Sequence, residues 1–204
     1  MLVKVCGMRE PENIRDVVDA GADWIGMIFW QRSPRNAIGA KRPDVRVPLV
    51  GVFVDEKADV IARYVKDYSL DLVQLHGSET SDYIAGLRPK IGRTKIIKAI
   101  RIGNGTTCTA TTMYARCNPD YFLFDTSCDC VGGSGKKFDW DMIDTYKGPV
   151  PFILSGGIAP NDAPVIKGIH NPLLLGVDLN SRFETAPGMK DASMVRQFIS
   201  ELKR

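Results

Sequence analysis

Two side chains have the type and setting of a proton acceptor and a proton donor. One is the thiol of Cys6, in KVCGMR; the other is the carboxyl of Asp125, which closes the apolar run YFLF. A thiolate can remove a proton from carbon and a carboxylic acid can deliver one to oxygen. Beyond Asp125 come Gly132, Gly133 and Gly135, then FDW, which reads as the start of a helix. Glycine lets backbone N–H groups approach an anion such as phosphate, because no Cβ holds the ligand away. SGG at 155–157 and DLNS at 178–181 suit the same anion chemistry through N–H groups and hydroxyls. Arg35, in QRSPR, carries a planar fork that fits a carboxylate.

Each residue also has a plainer reading. Cys6 between valine and glycine fits a small buried hydrophobe. Asp125 fits a cap on the following turn, and Arg35 a solvated charge. His76 alone fits a hydrogen bond to its own loop. Position in the fold separates these readings.

Apolar, β-rich runs alternate with helical patterns along the chain. Strands are expected at 2–5, 24–29, 49–54, 70–75, 94–100, 121–124, 151–154 and 173–177, the second nearly all apolar, as when both faces are buried. Helices are expected at 11–20, 57–67, 78–87, 106–116, 139–146, 161–168 and 191–203. Residues 30–48, with three prolines and a basic, glycine-containing stretch, leave room for little more than a stunted helix. Strict alternation predicts a parallel sheet with right-handed crossovers. Eight strand-helix units close most economically as one α/β domain over 1–204, a (β/α)8 TIM barrel with a shortened second helix. An open doubly wound sheet of this length would use fewer strands.

In such a barrel ligands meet the residues just after each strand. Those positions hold Cys6, Arg35, Asp55, Gln74 with His76, Lys98 with Arg101, Asp125, Ser155 with Gly156 and Gly157, and Asp178 with Asn180 and Ser181. Strands one and six would then hold base and acid across one mouth. So many reactive types at the correct ends favour a site over the plainer readings.

The bulk numbers narrow the partners. Hydrophobic residues make up 44% and charged residues 25%, and the net charge is +3 with both signs scattered, which gives no ground for a nucleic-acid or membrane partner. MLVKVCGMRE lacks the long apolar core of a signal peptide, so a cytoplasmic location is expected. Five cysteines and two histidines give no paired spacing for structural zinc, and the thiols read as free.

Taken together, KVCGMR, SPR at 33–35, GVFV at 51–54, QLHG at 74–77, FDT followed by GGSGKKFDW, LSGGI at 154–158, and DLNSRFE with PGMKD at 178–191 resemble the phosphoribosylanthranilate isomerase family of tryptophan biosynthesis. The resemblance implies a cofactor-independent Amadori rearrangement of a small phosphorylated substrate by a monomer or homodimer, with no metal. It assigns Asp125 as general acid and Cys6 as general base, and Arg35 to the anthranilate carboxylate. Gly156, Gly157, Asn180 and Ser181 fall on the phosphate side and Asp178 near the sugar hydroxyls. Gly133, Ser134 and Gly135 match the loop that closes over the substrate, and Gln74 and His76 join the substrate-binding set. The sequence departs from the family at Asn36, where an aromatic is typical, and at Arg182, where a small residue is common. Cys128 and Cys130 are expected to be dispensable. A related isomerase of histidine biosynthesis would be expected to place a carboxylate where Cys6 stands. A phosphosugar-binding protein would need neither acid nor base.

Overall fold

The computed structural model describes residues 1–102, 114, 116–125, 141–144 and 146–204. Eight parallel strands close into a barrel in chain order: β1 (Leu2–Val5), β2 (Trp24–Ile28), β3 (Leu49–Phe53), β4 (Leu72–Leu75), β5 (Lys95–Arg101), β6 (Tyr121–Asp125), β7 (Phe152–Ser155) and β8 (Leu174–Leu179). Closure is made by β1 against β8, with Lys4 opposite Asp178. The helices are α1 (Pro11–Asp19), α2 (Ala58–Tyr68), α3 (Ser81–Ile91), α4 (Asp141–Asp144), α5 (Ala163–Lys167) and α6 (Ala192–Lys203). None of the described helices is long and apolar enough to cross a membrane.

The two-residue period of a strand sorts the side chains into two cores. On β1, Val3 and Val5 join the large cluster shared with the helices, whereas Leu2 and Cys6 join the cluster inside the barrel. On β6, Phe122 and Phe124 face the helices and Tyr121 and Leu123 face inward. By the same parity Lys4 and Asp125 belong to the lumen. The outer core holds stacked rings, with Phe124 and Phe152 at 4.6 Å between centroids and Tyr146 edge-on to both.

Helix ends follow their local chemistry. Pro11 opens α1, where its missing N–H costs nothing. Thr80 caps α3 by accepting from the Tyr83 N–H at 3.2 Å. Asp191 caps α6 by accepting from Ser193 and Met194. The third helix, expected to stop at residue 87, runs on through Pro89 to Ile91, which is buried in the core. Burial of that last isoleucine outweighs the lost proline hydrogen bond. The fourth expected helix, 106–116, lies almost wholly outside the described residues.

Between β2 and β3 the shortening is complete, with turns and one isolated bridge, Ile28 to Asn36, in place of a helix. The apolar surface there is filled by rings instead: Phe29 stacks on Phe53 at 5.4 Å and meets Tyr64 at 4.5 Å and Tyr68 at 4.9 Å. Tyr68 also donates to the Ala40 carbonyl at 2.7 Å, pinning the connection. A further difference lies after β8. A 3-10 turn (Ser181–Phe183) leads into a small antiparallel hairpin, β9 (Glu184–Ala186) and β10 (Met189–Lys190).

Candidate active site

A cavity of about 300 Å³ opens at the carboxyl ends of the strands. Its lining includes Cys6, Gln74, His76, Asp125, Gly156, Gly157, Asp178, Asn180 and Ser181. These nine expected residues come from five strand ends and meet around one space. Ile28, Trp30, Ser33, Val52, Val54, Ser155, Ile158 and Arg182 complete the wall. Trp30 supplies an aromatic surface from the connection that also holds Asn36. The Asn36 side chain itself turns back to accept from the Ile38 N–H at 2.8 Å. Gly133, Ser134 and Gly135 lie outside the described residues, as do Cys128 and Cys130.

Cys6 ends the inward row of β1 and is only 3% exposed. Burial pushes its thiol up from the usual value; Lys4 and Lys190 pull it down, and Asp178 adds to the rise. Asp178 sits inside β8 rather than after it, because Lys4 on the adjoining strand holds it at 2.8 Å. A charged residue would ordinarily end a strand run. Here its ion pair lets the strand continue to Leu179.

Asp125, at the end of β6, is 9% exposed and faces His76, whose Nε2 lies 3.3 Å from Oδ2. Gln74 Nε2 lies 2.9 Å from His76 Nδ1. With the amide donating to Nδ1, the ring proton sits on Nε2 and points at Asp125. The Gln74 Oε1 atom is buried with no hydrogen-bond partner. The His76 loop is braced from behind by Lys98, which donates to Glu79 Oε2 and to the Gly77 carbonyl, both at 2.7 Å. Glu79 in turn accepts from the backbone of Asp55 and Gly77. Lys98 therefore braces the rim instead of lining it.

The loop after β7 takes positive φ at Gly156 (97°) and Gly157 (65°). A Cβ at Gly157 would meet nothing within 4 Å, so its backbone borders open space, as an anion cradle requires. Asn180, Ser181 and Arg182 border the same cavity.

Arg35 is not among the lining residues. Its Nε donates to both oxygens of Glu184, at 2.8 and 3.0 Å, and its Nη2 donates to Oε2 at 2.7 Å. The carboxylate in its fork is thus the protein's own, although Nη1 takes no part. Glu184 also takes Lys190 Nζ at 2.5 Å. Burial works against the charge of Glu184, but the hydrogen bonds from Arg35 and Lys190 outweigh it and hold the carboxyl at about 2. Sequence reasoning missed Lys4, Glu184 and Lys190. For Lys4 a signal existed, since it stands two residues before Cys6 and so on the same face of the strand. For the hairpin pair none did, because their partners lie across the fold. Among the described residues no group of three or more His, Cys, Asp or Glu side chains gathers as a metal site would need.

Fold and cavity define the class: a (β/α)8 barrel with a mouth that sets a thiol, a carboxyl and a glycine turn around one space. The model of the N-(5'-phosphoribosyl)anthranilate isomerase family matches residues 3–201, and the chain belongs to that family. The N-(5'-phosphoribosyl)anthranilate isomerase of Phocaeicola vulgatus is 41% identical over 207 residues, covering 100% of this chain and 98% of its own. Among solved structures, the phosphoribosyl anthranilate isomerase of Thermotoga maritima superposes with a TM-score of 0.81 at 31% identity, covering 100% and 99% of the two chains. Another phosphoribosyl anthranilate isomerase, in complex with reduced 1-(o-carboxyphenylamino)-1-deoxyribulose 5-phosphate, gives 0.77 at 28% identity, covering 100% and 98%.

Proposed function

We propose that this chain, acting as one cytoplasmic domain without a cofactor, converts N-(5'-phosphoribosyl)anthranilate to 1-(2-carboxyphenylamino)-1-deoxyribulose 5-phosphate in tryptophan biosynthesis. The observation that carries the reading is the convergence of Cys6 and Asp125, from β1 and β6, on one cavity beside the Gly156–Gly157 turn.

Asp125 as general acid protonates the ribose ring oxygen; the C1–O bond breaks and the nitrogen lone pair forms the iminium. That electron sink acidifies the C2 hydrogen, and the Cys6 thiolate removes it to leave a neutral enolamine. The enolamine then gains a proton at C1 and loses one from its C2 hydroxyl, which restores acid and base and leaves the ketone. Gly156, Gly157, Asn180 and Ser181 hold the phosphate, with Arg182 beside them, and Asp178 faces the sugar hydroxyls. Trp30 provides a ring face for the anthranilate, and the unused Nη1 of Arg35 reaches its carboxylate. Glu184 fixes the orientation of that guanidinium.

The purified protein should consume freshly generated phosphoribosylanthranilate, followed as loss of the substrate's fluorescence. Cys6→Ser and Asp125→Asn should each lower turnover by about 10²- to 10⁴-fold, the usual worth of a positioned acid or base. Full activity in either variant would refute that assignment. Binding without turnover in the unaltered protein would instead indicate a phosphosugar-binding protein.

A further inference from the structure

We infer that Lys4 is the positioning residue that makes Cys6 usable as a base: its ammonium, anchored by Asp178 on the floor of the cavity, is the counter-ion that a Cys6 thiolate requires. The inference rests on the reading of Cys6 as base.

Lys4 is 0% exposed, unusual for a lysine, which keeps its charge in a protein interior only when paired. Its Nζ donates to Asp178 Oδ1 at 2.8 Å, across the β1–β8 register that closes the barrel. The ammonium also lies close enough to Cys6 for each to favour the other's charged form. Both atoms crowd one point. A Cβ placed on Gly26 of β2 would lie 2.9 Å from Cys6 Sγ and 3.1 Å from Lys4 Nζ. The missing side chain of Gly26 is thus the space in which ammonium and sulfur meet.

The other charges facing the sulfur are already committed. Lys190, on β10, bonds Glu184 and Asn180. Arg35, from the connection after β2, is also locked on Glu184 of β9. Asp178, on β8, is matched by Lys4. Counting these five groups, three cations face two carboxylates, and a thiolate at Cys6 would bring the cluster to neutrality. Of the cations, Lys4 is the one whose nitrogen shares the Gly26 space with the sulfur. Burial alone would lower the Lys4 ammonium, but Asp178 and Cys6 outweigh it and the net direction is up.

The test reads the thiol rather than turnover. Thiolate ultraviolet absorbance is followed against pH as the difference between a protein and its Cys6→Ser counterpart. In Lys4→Met the midpoint should rise by about one to three pH units, the effect of removing an opposite charge in contact. The acidic limb of kcat/KM should move by the same amount, with KM little changed. Lys4→Met strands Asp178 and risks misfolding, so Lys4→Met with Asp178→Asn is compared with Asp178→Asn alone, and the same upward shift is expected. A midpoint that stays in place or falls in folded protein overturns the role of Lys4, even if Cys6→Ser is inactive. If Cys6→Ser is active instead, the base assignment fails, while the absorbance titration still reports whether Lys4 holds the thiolate.

Discussion

His76 is the residue whose surroundings say most beyond its type. It bridges Gln74 and Asp125, and the Gln74 amide beside it keeps an unpartnered oxygen. Rotation of that amide would exchange donor for acceptor at Nδ1 and so turn Nε2 from donor to acceptor towards Asp125. The trio can therefore follow Asp125 through both of its protonation states. His76→Ala should lower kcat by about tenfold, part of the range for acid–base assistance, with a smaller change in KM. His76→Gln, which keeps one hydrogen bond to Asp125, should recover part of that loss. Equal kcat in His76→Ala and the parent would show that the imidazole only fills space. QLHG marks His76 in the sequence, but its bond to Asp125 was not legible, because the partners come from β4 and β6, with β5 between them.

At the scale of elements, the connection between β2 and β3 shows how packing replaces a missing helix. Phe29 alone touches Phe53, Tyr64 and Tyr68. Phe29→Ala should cost about 3–5 kcal/mol, as for other buried aromatic truncations, read from urea unfolding. Thr80→Ala, which removes only the α3 cap, should cost about 1 kcal/mol. A Phe29 effect no larger than the cap effect would mean that the ring cluster is loosely packed. Prolines and the basic stretch made a shortened helix foreseeable, since neither sustains an amphipathic period, but not its complete replacement by turns. The hairpin after β8 was not foreseeable. Its strands are three and two residues long, too short for any alternation to register.

Across the whole molecule, the mouth is tied together by Glu184, which draws Arg35 from the β2 side and Lys190 from β10. Its carboxyl titrates near 4.5 when free and at about 2 in the fold. A depressed acid stabilises fully above its unfolded value, so this contribution is present above about pH 4.5 and is lost as pH falls toward 2. The thermal midpoint should fall across that window, and Glu184→Gln should flatten the slope. An unchanged slope in the variant would place the acid sensitivity elsewhere.

What the sequence determined by itself was the alternation of strands and helices, the closure into a barrel, and the chemical types standing at the strand ends. Those follow from short-range physics, the period of apolar residues and the backbone freedom of glycine, which a linear reading captures. The tertiary structure decided the pairings: Lys4 with Asp178 and Cys6, His76 with Asp125, Arg35 with Glu184 instead of an open space. Each joins residues far apart in the chain, and their protonation depends on burial and neighbouring charge, quantities that exist only once the barrel has closed.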